Sequence, residues 1–333
     1  MSIESKNNLP VVLLFGPTAV GKTALVEQLF VHSEHKFEII NADSMQVYRS
    51  LDIGTAKPSS ELQRRIPHHL IDICSPTEQY DVGQFVRDAD RLIQDIYSRG
   101  HIPLITGGTA FYFYHFLYGL PPTPSADVEI RKALYKRLRQ SGREKLFQEL
   151  QQCDPVTAQK LHPNDTQRVI RALEVQHSSG KPLSSYLQTP SLRPGYEYLV
   201  LGLHRERVEL YSRIDLRVEQ MWAEGLVEEV KELIALGFTA EDPGMRGIGY
   251  REFFEAQRYA DESSNIHRPE IDSFTETVFE QIKNEIKKNS RRYAKRQITF
   301  FKRIAETEWY TPEESEALSI RVSEFLRPFL PTY

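Results

Sequence analysis

Short continuous apolar runs alternate with amphipathic stretches over the first third of the chain. Val11 to Phe15 is wholly apolar and is followed at once by glycine. That is the pattern of a strand buried on both faces, as in a parallel sheet. Ala24 to Phe30 reads as a helix, and Phe37 to Ile40 as a second strand ending at Asn41-Ala42-Asp43. His101 to Thr106 is a third, stopped by Gly107-Gly108, and Tyr198 to Leu203 (YLVLGL) is a fourth. Strands alternating with helices predict an α/β fold built on a parallel sheet.

The alternation breaks between Leu120 and Pro194. Pro121, Pro122 and Pro124 punctuate the entry, and Pro190 and Pro194 the exit. Ile130, Leu134 and Leu138 recur every four residues after Ser125, which is placed to cap that helix. Asn164-Asp165-Thr166-Gln167 resembles a capping box, and Gly180 is a stop signal. The expected organisation is a P-loop NTPase-like core over 8–119 and 196–312, with a helical subdomain inserted at 120–195. A tail helix follows over 313–333. In the second part of the core, Ile214, Val218, Met221 and Trp222 mark one side of a long helix. Gln257 to Pro269 is polar and reads as an exposed connection. There are no internal repeats.

Composition sets the class. Of 333 residues, 40% are hydrophobic and 26% charged, enough apolar material for a core. Met1 to Pro10 lacks a signal-peptide core, and Phe111 to Leu120 is too short to span a bilayer. The two cysteines, Cys74 and Cys153, lack a paired spacing. That fits a reducing cytoplasm with no membrane association. Net charge is −4, but the basic residues cluster. Gln281 to Arg303 holds nine Lys or Arg against one acid, and Arg131 to Lys145 holds seven Lys or Arg. Such clusters suit a polyanion, with Arg291, Arg292 and Lys295 as phosphate contacts. They would equally suit two solvated helix faces.

The strongest chemical signal is Gly16-Pro17-Thr18-Ala19-Val20-Gly21-Lys22-Thr23, a G-x-x-x-x-G-K-T loop between a strand and a helix. Its backbone N–H groups and the helix N-terminus cradle an anion. Lys22 adds a point charge, and the Thr23 hydroxyl a ligand for Mg²⁺. The loop indicates a diphosphate or triphosphate without naming its bearer. Asp43 closes the second strand, where ligands of open α/β sheets sit. Its carboxylate can take a proton from a nucleophile, hold Mg²⁺ through water, or merely cap the next turn. Gln46 carries an amide suited to an adenine edge. Gly107-Gly108-Thr109 permits close backbone approach by a ligand. Thr109 can donate to a phosphate or accept from an amine. The adjacent His68 and His69 face opposite sides of a strand, which favours structural roles over one shared metal.

Read in order, these motifs resemble the bacterial-type tRNA dimethylallyltransferases. The series is GPTAVGKT at Gly16, DSMQVYR at Asp43, DIGTAKP at Asp52, PHHLID at Pro67 and GGT at Gly107. It continues with PNDTQRVIRALEV at Pro163, RGIGYRE at Arg246 and RRYAKRQITFFKR at Arg291. The resemblance implies that the loop holds the diphosphate of dimethylallyl diphosphate, with Mg²⁺ as cofactor and Arg217 facing the same group. It implies Asp43 as general base for an adenine amine, with Thr109 touching that amine and Ser44, Met45 and Gln46 touching the base. It implies contacts to a tRNA anticodon stem-loop from Arg131, from Gln167, Arg168, Val169, Ile170 and Arg171, and from Arg246, Gly247, Ile248, Gly249, Tyr250 and Arg251. A monomer is expected. Two departures stand out. Ala110-Phe111 follows GGT where the family has a small and then an aliphatic residue, and Phe300 stands where tryptophan is usual.

The chemistry accounts for the set. Displacing diphosphate from an allylic carbon puts charge on the departing oxygens, which preorganised donors stabilise. An aryl amine is a poor nucleophile, and a carboxylate that removes its proton helps. A stacked base must be flipped out of the loop to react. Competing readings are a P-loop phosphotransferase, an isopentenyltransferase of free adenine nucleotides, and an RNA-binding NTPase switch. The first leaves the basic helix and the helical insert unexplained.

Overall fold

In the computed structural model the described residues are 8–31, 33, 35–187, 189–260 and 269–329, with the backbone alone described for 257–260. Strand β1 (Leu9–Phe15) is fully buried from Val11 onward. It feeds the phosphate loop, and Gly21, at φ 116°, turns the chain into α1 (Lys22–Phe30). There follow β2 (Phe37–Asn41), α2 (Ser60–Arg65), the two-residue β3 (His68–His69), α3 (Val82–Ser98), β4 (Ile102–Gly107) and α4 (Ala110–Tyr118). The helical stretch supplies α5 (Val128–Cys153), α6 (Pro155–Ala158) and α7 (Thr166–Ser179). The chain then forms β5 (Tyr196–Leu203), α8 (Arg207–Ala223), α9 (Leu226–Ala235), α10 (Arg251–Ala260), α11 (Glu276–Phe301), β6 (Glu308–Tyr310) and α12 (Ser315–Leu326).

The strands form one sheet in the order β3-β2-β4-β1-β5-β6, and every pairing is parallel. The expected α/β, P-loop-like core is therefore what the chain builds. The edge strands β3 and β6 are too short to show a pattern in sequence. Register decides where a ligand can sit. Phe15 pairs with Gly107 and Asn41 with Thr106, so β1, β2 and β4 end level with one another. The loops after them, carrying Gly16, Asp43 and Gly108, thus start from one line at the carboxyl edge. Helix α11 buries Ile282, Ile286, Ala294, Gln297 and Phe301 along one side. Phe301 stacks on Phe15 with centroids 4.3 Å apart.

Two compact units result, Met1–Leu117 with Arg193–Tyr333, and Tyr118–Leu192. The helical unit has its own core, including Leu134, Leu146, Leu150, Val169, Ile170 and Leu173. Its first helix is capped by Asp127, not Ser125: the Asp127 carboxylate accepts from the N–H of Glu129 and Ile130 at 2.9 and 3.0 Å. An anion that takes two N–H groups at a helix N-terminus gains from the dipole as well as the bonds. Gly142, at φ 82°, breaks α5 into two helical segments. Gly180 ends α7 at φ 71°, and Asp165 caps its start. Part of the connection expected at Gln257 to Pro269 is helix, since α10 runs to Ala260; residues 261–268 lie outside the described residues. So do residues 1–7 of the N-terminal segment and 330–333 of the expected tail helix, which is α12 flanked by short turns. No helix among the described residues is long and apolar enough to cross a membrane.

One buried acid organises the helical unit. Glu174 is fully buried and accepts from the Asp127 N–H at 2.7 Å and from Arg131 at 2.7 and 3.1 Å, with Arg171 3.3 Å away. Removing one partner of a buried ion pair typically costs about 3 kcal/mol. Glu174→Ala should lower stability by about that amount. Urea denaturation of the full chain, followed by circular dichroism, measures it; an unchanged midpoint would contradict this account of the unit.

Candidate active site

The phosphate loop is held by cations, one of its own and two from outside. Lys22 Nζ donates to the carbonyls of Gly16 and Pro17 at 2.8 and 2.9 Å. Arg213 Nε donates to Ala19 O at 3.0 Å and Arg205 Nε to Val20 O at 2.8 Å. In a trans peptide the N–H points opposite the C=O, so each captured carbonyl turns its peptide's N–H the other way. Gly16 admits no side chain: a Cβ there would stand 2.9 Å from Leu203 O.

A cavity of about 580 Å³ opens beside this loop. Its charged lining residues are Lys22, Arg213, Arg217 and Asp43. Burial, reinforced by the Arg217 guanidinium, pulls the Lys22 pKa down to about 7, and Asp43 opposes the shift. Burial likewise lowers the Arg217 pKa, again against Asp43. Arg217 reaches the Thr18 hydroxyl at 3.3 Å. Two cations held against their hydration in one cavity favour an anionic ligand. Thr23 lines the same cavity.

The other side of the cavity carries the proton-accepting groups. Asp43 Oδ1 accepts from the N–H of Met45 at 2.9 Å and Gln46 at 3.4 Å, so one oxygen does cap the following turn. The second oxygen, Oδ2, faces Gly108, 3.8 Å from where a Cβ there would stand. Thr109 Oγ1 accepts from Ser44 N at 2.9 Å and donates to Ser44 Oγ at 3.2 Å. Gly107 is required by packing, because a Cβ would lie 2.3 Å from Ala42 O. The Tyr293 hydroxyl lies near Thr109 and Gln297, and burial and the Asp43 charge raise its pKa.

Gln297 ties the two sides together. Its Oε1 accepts from Thr18 N at 2.9 Å, and its Nε2 donates to Gly108 O at 2.6 Å. Neither Gln297, Tyr293, Arg205 nor Arg213 was singled out by the sequence. Gln297 and Tyr293 lie inside the RRYAKRQITFFKR motif, and an amide spaced with Ala294 and Phe301 on a buried face is a signal in retrospect. Arg213 precedes Arg217 by one turn of α8, which puts both on one face.

Other expected contacts are engaged within the protein. Gln46 Nε2 donates to the carbonyls of Thr55 and Ala56, both at 3.1 Å, so its NH₂ is engaged within the protein while the residue lines the cavity. The loop at Asp52 is anchored by Glu229, which accepts from Asp52, Ile53 and Gly54 N–H at 2.9, 2.7 and 3.1 Å. The Tyr250 hydroxyl shares that carboxylate at 2.7 Å, and its fully buried ring covers Gly54. Gly247 packs on Met45, and Gly249 N donates to Glu252 at 2.9 Å. Of the RGIGYR run, then, Gly249 and Tyr250 build the loop contact, and Gly247 packs on Met45. Ile248 is half-buried, Arg246 is exposed and bonds Glu241 O, and Arg251 bonds Glu252 at 3.1 Å. In the helical unit, Gln167 and Arg168 are exposed, whereas Val169 and Ile170 are core side chains and present only backbone. Arg131 and Arg171 are held at Glu174.

The basic helix α11 is partly self-neutralised. Arg291 pairs with Asp215 at 2.5 Å, and Lys287 pairs with Glu219, so Arg291 is already partnered within the protein. Arg292, Lys295 and Arg296 are exposed. The two departures from the family pattern meet each other: Phe111 lies edge-on to Phe300 at 6.2 Å, and Arg303 sits 5.1 Å over Phe300. His69 bonds Glu38 at 2.6 Å and His68 bonds Ile66 O at 2.8 Å. Neither belongs to a metal-ligand cluster among the described residues.

This arrangement, a phosphate loop joined to an acid at the next strand end, defines a P-loop transferase. Residues 46–304 match the family model described as IPP transferase, and residues 9–72 the model described as isopentenyl transferase. The chain belongs to the IPP transferase family. A tRNA dimethylallyltransferase 2 of Geotalea uraniireducens is 39% identical over 328 residues, covering 97% of this chain and 99% of that protein. A tRNA dimethylallyltransferase of Alkaliphilus metalliredigens is 41% identical over 318 residues, covering 93% and 94%. The solved tRNA isopentenylpyrophosphate transferase of Bacillus halodurans superposes with a TM-score of 0.63 at 34% identity, covering 96% of this chain and 97% of that one. A eukaryotic dimethylallyltransferase acting on tRNA gives 0.70 at 29% identity, covering 88% and 69%.

The Lys22 shift has a measurable consequence. In the fold Lys22 releases its proton near pH 7, against 10.5 ordinarily. Between those values the unfolded chain binds more protons than the native one, so this group makes stability rise with pH across the window. Lys22→Met should flatten that rise and melt higher than wild type at pH 7. Parallel slopes of melting temperature against pH would contradict the buried charge.

Proposed function

We propose that the protein transfers a dimethylallyl group from dimethylallyl diphosphate to the exocyclic amine of the adenosine 3′-adjacent to the anticodon in tRNA, releasing diphosphate. The observation that carries this reading is one cavity with two chemistries. Lys22, Arg213 and Arg217 suit the leaving diphosphate, and Asp43 at the neighbouring strand end suits the proton of the incoming amine. The named tRNA dimethylallyltransferases to which the chain is similar over most of its length support the same assignment.

The bond from the allylic carbon to the diphosphate oxygen breaks as the adenine nitrogen bonds to that carbon. Negative charge gathers on the diphosphate, where Lys22, Arg217 and the loop N–H groups stabilise it. The amine proton passes to Asp43 Oδ2, and Thr109 and Tyr293 orient the nitrogen. Mg²⁺ would be held by the Thr23 hydroxyl and, through water, Asp43, both in the cavity lining. A hydroxyl, a carboxylate and phosphate oxygens are the donor set this ion takes while keeping several waters. When bound, it neutralises charge on the diphosphate.

Exposed Gln167, Arg168 and Arg246, together with Arg292, Lys295 and Arg296 on α11, are the side chains we assign to tRNA. Ser44 and Met45, half-buried at the turn after Asp43, would line the seat of the flipped base. Val169, Ile170, Gly247, Gly249 and Tyr250 act by shaping the backbone that presents their neighbours. A tRNA substrate and two unpaired cysteines fit a cytoplasmic enzyme, which we assign as a monomer.

The test supplies labelled dimethylallyl diphosphate, Mg²⁺ and undermodified tRNA, then digests the RNA. Isopentenyladenosine is the expected product. Asp43→Asn should slow its formation by roughly 10²- to 10⁴-fold with tRNA affinity unchanged. Near-normal turnover in that variant would remove Asp43 from the role of base. Turnover of ATP with an alcohol acceptor in place of prenyl transfer would overturn the assignment itself.

A further inference from the structure

We propose that Arg205 is a positioning residue for the leaving diphosphate: braced by Glu209 and Glu313, it fixes the Val20–Gly21 peptide of the phosphate loop. The short turn Pro312–Glu314 thereby becomes part of the seat of the prenyl donor. This rests on the reading that the cavity takes a prenyl diphosphate. The parts meet because two neighbouring strands end level. Leu203 pairs with Tyr310 at the ends of β5 and β6, and His204 N donates to Tyr310 O at 3.0 Å. Arg205 leaves one strand end and the turn leaves the other. Thr311 and Glu314 close that turn with a capping box, Thr311 N donating to Glu314 Oε2 at 2.7 Å, and Pro312 fixes its first residue. Glu313 is thus presented from a rigid turn.

All three guanidinium nitrogens of Arg205 are engaged. Nε donates to Val20 O at 2.8 Å, Nη1 pairs with Glu209, and Nη2 pairs with Glu313 at 2.8 Å. The Arg205 side chain is 10% exposed, whereas Glu209 and Glu313 are 49% and 64% exposed. Ion pairs to acids that exposed contribute little stability. What they do is hold a planar fork in one orientation, and that orientation aims Nε at the loop. With Val20 O taken, the N–H of the same peptide, on Gly21, points the other way. Gly21 lines the cavity. Behind it stand Pro312 and Arg205, 3.5 and 3.8 Å from where a Cβ on Gly21 would lie. A loop N–H held facing a cavity is a donor for diphosphate oxygens, as in other backbone anion sites. A lysine at 205 would keep the charge, but its ammonium could not hold a carbonyl and two carboxylates in one plane. The geometry thus asks for the fork of Arg205 and not merely its charge.

Positioning and plain structural support separate in a binding measurement. Inorganic pyrophosphate with Mg²⁺ is titrated into the full-length protein by calorimetry, tRNA affinity is measured beside it, and melting is recorded without ligand. Arg205→Lys should bind pyrophosphate about tenfold more weakly, the size of one misaligned bond to a charged group, with tRNA affinity unchanged. Glu313→Ala alters an exposed side chain, so it should melt as wild type does and yet bind pyrophosphate several-fold more weakly. The double variant should bind no more weakly than Arg205→Lys alone, because Glu313 acts through Arg205. Unchanged pyrophosphate affinity in Arg205→Lys would overturn the proposal, as would losses that simply add in the double variant. Equal losses of pyrophosphate and tRNA affinity would assign Arg205 to the fold as a whole and overturn it too. If wild type itself fails to bind pyrophosphate, or Lys22→Ala binds it equally well, the diphosphate reading fails, and this inference with it.

Discussion

Gln297 uses both ends of one buried amide to join two loops that lie far apart in the chain. Its carbonyl takes the Thr18 N–H of the phosphate loop, and its NH₂ gives to Gly108 O of the loop carrying Thr109. The first loop seats the leaving group and the second faces the acceptor. Effective molarity depends on keeping such seats in fixed register, and a displacement of about 1 Å can cost 10²-fold in rate. Parallel strands ending level bring the loops close; the amide sets their spacing. The helix that carries Gln297 is also where Phe301 stacks on Phe15, so the tie is anchored in the core.

The site holds features that cost stability in the free protein. Lys22 and Arg217 are cations pressed together against their hydration. Each is a local conflict that a bound polyanion resolves. Such conflicts concentrate at functional sites because the surrounding fold can carry them. Here the carrying structure is the buried centre of the sheet, β1, β2 and β4, and the Arg205 and Arg213 bonds that hold the phosphate loop from outside.

Much of the fold was legible because its signals are local. Apolar runs marked β1, β4 and β5, the first two stopped by glycine, and the G-x-x-x-x-G-K-T spacing marked the phosphate loop. Asp43 was legible from its place at a strand end. What a side chain touches was not. Val169 and Ile170 sit in a motif matched to RNA contact but belong to the helical core. Tyr250 likewise serves packing, under the loop at Gly54, and Gly247 packs on Met45. Arg291 looked like one more surface cation until Asp215, from another helix, neutralised it. Gln297 escaped for the same reason: its two partners lie 279 and 189 residues away, and no window along the sequence contains them.

The claim that one cavity aligns a diphosphate with an amine is tested most directly by removing the tie between its halves. Gln297→Ala should be compared with wild type in a single turnover, with enzyme in excess and both substrates bound, by rapid quenching of prenyl transfer to tRNA. The account predicts a chemical step slowed by about 10²-fold, because donor and acceptor seats lose their common register. Transfer at the wild-type rate would show that the two loops need no such coupling, and would contradict the account at its centre.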